Sequence, residues 1–133
     1  MDRHVNLLAV LWMLWGALTI LVGVSTMLLA VGAMAAVLGP GGESVSTAAG
    51  FIAAAFALAG GFTLLWGFAH MFAGALVRRR LSAGRTLSLG LAIVNLLVLP
   101  FGTALGGYAL WILLTADGRR LFEPPPAPLV STR

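Results

Sequence analysis

The stretch "VNLLVLPFGTALGGYALWILL", Val94 to Leu114, is an unbroken apolar run with a proline and several glycines inside it. Read as one helix, it is a single kinked membrane crossing. Read as two, it is a hairpin, and the topology of the whole chain changes with it. Arg85 and Asp117 bracket the run, and no charge lies between them. As one helix, residues 86–116 would measure about 46 Å, against a hydrocarbon thickness of about 30 Å. The two apolar stretches that precede them are equally long, so length does not decide.

Charge does. Arginine collects on the cytoplasmic side of short loops. If the run is a hairpin, Arg3, Arg78 to Arg80, Arg85, Arg119, Arg120 and Arg133 all share one side. The connections left on the other side, "GPGGES" from Gly39 and "PFGT" from Pro100, hold no basic residue. A single kinked helix would strand Arg119, Arg120 and Arg133 on the opposite side, against that rule. Local chemistry agrees. Pro100 removes a backbone donor and biases Leu99 away from helical geometry. Gly102 can take the positive φ of a tight reversal, and Thr103 suits the cap of a new helix. The expected arms are about 81–99 and 103–121, each about 28 Å long. A re-entrant hairpin that never crosses keeps both ends on the same side equally well, and charge does not distinguish it.

Outside this region the composition sets the class. The chain has 133 residues, 60% hydrophobic and only 9% charged. A soluble domain carries about 25% charged residues. No charge falls between Arg3 and Glu43, or between Glu43 and Arg78, and uncharged runs above about 18 residues read as membrane spans. The expected fold is an all-α integral membrane four-helix bundle in a single domain, residues 1–122. Two long helices, about 5–38 and 47–77, precede the hairpin that turns at Pro100 to Gly102. From Glu123 on, "EPPPAPLVSTR" reads as a flexible proline-rich tail. "AMA" at Ala33 to Ala35 resembles a signal-cleavage site, but a signal's apolar region is about 7–15 residues. The first apolar stretch is longer, so it reads as an uncleaved span.

The same composition excludes several chemistries. There is no cysteine, hence no disulfide and no thiolate nucleophile or ligand. The two histidines and four acids are scattered, so no metal site and no cofactor is expected. The net charge of +4 comes wholly from arginines at span edges. That placement points to topology and lipid headgroups rather than nucleic acid.

A few residues remain as candidates. Phe62, Trp66 and His70 recur every four residues on one helix face. A histidine about 12 Å in from Arg78 is a functional candidate or a packing histidine. Asn95 and Tyr108 fall at similar depth on the two hairpin arms, suited to bond one another or to line a polar path with His70. Arg78, Arg79, Arg80 and Arg85 are candidate headgroup contacts. Gly102 and Gly106, with Gly107 beside them, form a small-residue pattern suited to close helix packing, as do Gly50, Ala54, Ala57 and Gly61. Trp12, Trp15 and Trp111 read as belt or core aromatics. No catalytic residue is expected: no acid lies within a span, and only His70 could serve a serine or threonine as base.

The segment "LPFGTALGGYALWILLTADGRRLF", Leu99 to Phe122, resembles the C-terminal signature of a family of small, uncharacterised bacterial four-span membrane proteins. The matching positions are Pro100, Gly102, Thr103, Gly106, Tyr108, Leu110, Trp111, Leu121 and Phe122. Gly107 departs from the isoleucine often found there. "RHVNLLAVLWMLWGAL" is similar to the family's start, more weakly. The resemblance implies four spans and no biochemical role.

These observations lead to a bacterial inner-membrane protein with both termini cytoplasmic. The expected role is structural, accessory or self-associating. Its expected partners are membrane lipids, a second copy or another membrane protein, and not nucleic acid. The alternative is a passive channel or small transporter formed by an oligomer.

Overall fold

A computed structural model describes residues 2–39 and 46–123, and among these every regular element is helical, as the composition predicts. In order they are α1 (Asp2–Leu38), α2 (Ser46–Arg78), α3 (Ser82–Asn95), α4 (Phe101–Leu114) and α5 (Ala116–Arg120). The "GPGGES" connection from Pro40 on, and the proline-rich tail beyond Glu123, lie outside the described residues. Two helices, α1 and α2, are long and apolar enough to cross a membrane; α4 is apolar but shorter.

α1 and α2 form an antiparallel pair joined along a seam of small residues spaced by seven. Ala9, Gly16, Gly23 and Ala30 are buried on α1, and Ala53, Gly60, Gly67 and Gly74 on α2. A Cβ added at Gly16 would lie 2.7 Å from the Gly67 carbonyl oxygen, and one at Gly67 2.9 Å from that of Gly16. A Cβ at Gly74 would come 2.8 Å from the Ala9 carbonyl. At such separations backbone faces backbone, the mode by which small residues hold helices together where lipid supplies no hydrophobic drive. A seven-residue repeat keeps the seam facing the partner over the whole length of both helices. The sequence stripe through Gly50, Ala54, Ala57 and Gly61 is not this seam: Gly50 faces open space.

α2 stops at the arginine run with a Schellman geometry. The Leu81 N–H donates to the Leu76 carbonyl at 3.2 Å, and Arg80 N–H to the Val77 carbonyl at 2.9 Å. The residue between helix and exit, Arg80, has φ 55, a place where glycine is preferred. Its guanidinium pairs with Asp2 at 2.6 Å, tying the start of α1 to the end of α2. The left-handed backbone costs an arginine about 1–2 kcal/mol, whereas a solvent-facing ion pair stabilises by about 0–1 kcal/mol. Arg80→Gly should therefore raise stability in detergent by about 0.5–1 kcal/mol, while Arg80→Ala, which loses the pair and keeps the strain, should not. Thermal unfolding of the two variants decides it; a glycine variant less stable than the alanine one contradicts the account.

The hairpin arms are shorter than their sequence suggests. α3 ends at Asn95 rather than Leu99, and α4 at Leu114 rather than Leu121. Each has 14 residues, about 21 Å. The second break falls at Thr115, whose extended backbone (φ −65, ψ 148) interrupts the helix. Thr115 Oγ1 donates to the Ile112 carbonyl at 2.8 Å and accepts from Gly118 N–H at 3.4 Å, so it caps α5. The turn also differs from expectation. α4 begins at Phe101, with Gly102 and Thr103 already helical. Gly102 serves close approach rather than reversal: a Cβ there would meet the Asn95 carbonyl oxygen at 2.7 Å. Thr103 caps nothing with its side chain; its hydroxyl instead donates across the turn to the Leu96 carbonyl at 2.9 Å.

The hydrophobic core gathers at the end where the chain begins. It joins Val5, Leu8, Ala9 and Trp12 of α1 with Ala73 and Val77 of α2, and with Leu91, Ala92, Ala109, Ile112, Leu113 and Phe122 from the hairpin and its exit. Four helices therefore pack at one end, and α1 and α2 continue as a pair beyond it.

Candidate functional site

Polar side chains are scarce in this interior. Among the described residues, His70, Ser88 and Asn95 are the buried polar ones. His70 is carried by α2, within a ladder of rings in which Trp66 stacks on Phe62 at 6.1 Å and meets His70 at 5.0 Å between centroids. The four-residue spacing that marks these residues in the sequence thus produces real contact. Trp12 of α1 closes the other side, 4.9 Å from the imidazole. Asn95, the last residue of α3, reaches in from a third helix.

The two buried side chains meet. His70 Nδ1 lies 2.7 Å from the Trp66 carbonyl, and its Nε2 lies 2.7 Å from Asn95 Nδ2. A carbonyl only accepts, so Nδ1 carries the hydrogen; Nε2 is then the acceptor, and the Asn95 amide donates to it. Both nitrogens of the ring are engaged, by a carbonyl and an amide. Three other buried polar atoms, Trp12 Nε1, Ser88 Oγ and Asn95 Oδ1, have no hydrogen-bond partner among the described residues. The bond joins α2 to α3 across a buried interior, where a lost partner is costly to either group.

Tyr108 does not join this pair. Equal depth along the arms placed it opposite Asn95, but the helix rotation turns it outward to α1. Its hydroxyl lies 3.2 Å from His4 Nδ1, at an exposed position. Trp111 stands beside it and meets His4 edge-on, with centroids 6.0 Å apart. A polar lining through His70, Asn95 and Tyr108 is therefore split into a buried pair and a separate surface contact. His4 sits in the second of these, and its place on the face of Leu7 and Leu11 is the only mark it leaves in the sequence.

The arginines divide in two. Arg80 holds Asp2 and Arg85 Nε donates to the Leu113 carbonyl at 3.2 Å, fastening α3 to the end of α4. Arg78 and Arg79 remain exposed, with Arg78 lining a small cleft beside Asn6 and Val10. Of the small residues, Gly106 packs α4 on α3: a Cβ there would stand 2.5 Å from the Ala92 carbonyl oxygen. Gly107 faces open space and packs against none of the described helices.

No group of three or more histidine, aspartate or glutamate side chains converges among the described residues. The larger open cleft runs between α1 and α4, lined by Leu7, Leu11, Leu18, Phe101, Leu105 and Tyr108, and is almost wholly apolar. The chain matches no protein-family model, no curated protein and no solved structure.

Proposed function

We propose that this chain is a structural, self-associating or accessory component of a bacterial inner membrane, multi-pass, with both termini in the cytoplasm. The observation that carries the reading is how the interior polar groups are used. His70 and Asn95 are fully enclosed and bond to each other, and His70 also bonds to the Trp66 carbonyl. They hold helices together, and neither of His70's partners is a nucleophile or an acid, which speaks for a non-catalytic role. Conduction along one chain would need a wet path through the same residues; as a channel or transporter the protein would have to build its pore between copies.

Membrane residence rests on the two long apolar helices and on the arginines gathered at one end. α3 and α4 pack against them at the arginine-bearing end. Lipids, a second copy or a membrane-protein partner are the surfaces left for the outward apolar faces. Exposed Arg78 and Arg79 suit anionic headgroups at about 1 kcal/mol each. Native mass measurement from mild detergent and from native lipid discs tests the proposal. A defined oligomer, or a monomer that carries lipid or a partner, is expected; a bare monomer in both media contradicts it.

A further inference from the structure

The membrane reading leaves the depth of the α3–α4 turn open, and the structure holds three observations that bear on it. The first is level. Phe101 lines the same cleft as Leu18, and Val98 lines another together with Thr19 and Phe62. The turn therefore sits beside residues 18–19 of α1 and residue 62 of α2. Leu18 is about 17 Å along α1 from Leu7, near the middle of a hydrocarbon layer about 30 Å thick. Beyond that level α1 and α2 continue for about 24–29 Å with no third helix beside them among the described residues.

The second observation is chemistry. The tip presents Leu97, Leu99 and Phe101 at 82%, 79% and 72% exposure. Asn95, the one polar side chain from Ile93 to Phe101, is turned inward and fully buried. A loop delivered to water on the far side would place three large apolar side chains there, whereas the connection between α1 and α2 is "GPGGES". The third observation is the backbone. Leu96, Leu97 and Val98 N–H groups donate to Ala92, Val94 and Asn95 carbonyls, and Thr103 and Ala104 N–H groups to those of Val98 and Pro100. Pro100 has no N–H to satisfy. The N–H groups of Leu99, Phe101 and Gly102 find no backbone acceptor among the described residues, so the pairing that hydrocarbon demands of a turn is met only in part.

We propose that α3–α4 is a re-entrant hairpin whose tip is embedded in hydrocarbon, so that it fills the cytoplasmic leaflet and goes little further. The molecule is then a wedge, four helices wide in the cytoplasmic leaflet and two wide in the other. Its partner is the lipid bilayer itself, and it fits best where the cytoplasmic leaflet is the expanded one. The inference rests on the membrane placement proposed above and adds the depth of the turn.

The chain has no cysteine, so Leu99→Cys supplies a single labelling site without altering the core. A fluorophore there, in vesicles of phospholipids brominated at defined acyl positions, should be quenched most by bromines near the chain ends. Quenching strongest from bromines nearest the headgroups would show a tip at an interface, as in a hairpin that crosses, and would overturn the proposal. Disulfide-linked dimers through Leu99→Cys in native membranes would assign the tip to a second copy and overturn it too. A Leu38→Cys label, at the far end of α1, should be quenched little, and most by bromines nearest the headgroups; deep quenching there would fault the membrane placement itself, which separates the two failures. Protein oriented with its arginines outward should reach a higher protein-to-lipid ratio in small vesicles than in large ones, and equal ratios would overturn the wedge.

Discussion

A Gly67→Leu variant is expected to lose about 3 kcal/mol of stability, enough to loosen α1 from α2. Gly67 faces Gly16 across the seam, and even a methyl group there would stand 2.9 Å from the Gly16 carbonyl and 2.7 Å from Ile20 Cγ1. The obstacle is main chain, which cannot rotate away as a side chain can, so the helices must separate and the neighbouring glycine contacts open with them. Leucine at Gly32, where nothing lies within 4 Å, is the matched control. It should be neutral or stabilising by up to about 1 kcal/mol, because leucine favours helix more than glycine does. Thermal unfolding in detergent followed by tryptophan fluorescence suits the comparison, since Trp12 is buried and Trp66 packs against the core. Equal stability of Gly67→Leu and the parent protein would show that the seam does not hold the pair.

The second large effect is expected at the His70–Asn95 bond. Asn95→Leu leaves His70 Nε2 without its donor inside the core, at a cost of about 1–3 kcal/mol. His70→Leu removes the acceptor, and also the ring that packs between Trp12 and Trp66. The double variant should be less destabilised than the two single changes predict together, by about 0.6–2 kcal/mol. The lower figure is typical of side-chain hydrogen bonds between membrane helices, and the upper allows for the full burial of both groups. Strict additivity would mean that the two groups are neighbours without energetic coupling.

The sequence announces the long helices plainly. Pro40 and the glycines around it, then the arginine run, stop α1 and α2 within a few residues of where composition places their ends. The turn at Pro100 is equally legible, because proline leaves few alternatives. What is harder to read is rotation about each helix axis. Asn95 and Tyr108 stand at similar depth, yet one turns to His70 and the other to His4. Depth follows from counting residues, whereas direction depends on how the hairpin docks. The seam was present in the sequence as a seven-residue repeat of Ala or Gly, but a four-residue pattern picks out Gly50 and Gly107, which face open space. A long antiparallel pair favours the seven-residue spacing because it tracks one line along both helices. The break at Thr115 was written in "TADG", where threonine followed by an acid in the first turn marks a new helix start. The surrounding apolar run concealed it. The buried pair illustrates the same division: the sequence marks His70 and Asn95 as polar groups in an apolar setting, and only the docking of α3 on α2 shows that each is the other's partner.

All of this depends on α1 and α2 crossing the bilayer with their arginine-bearing ends in one compartment. Single cysteines at Leu38 and at Arg119, in a chain that otherwise has none, test that most directly with a membrane-impermeant maleimide applied to intact spheroplasts. Leu38 ends α1 at the far side and Arg119 lies in α5 beside the four-helix end. The account predicts that Leu38→Cys is labelled at once and that Arg119→Cys reacts only after the membrane is opened. Labelling of both from outside, or of Arg119→Cys alone, would contradict it.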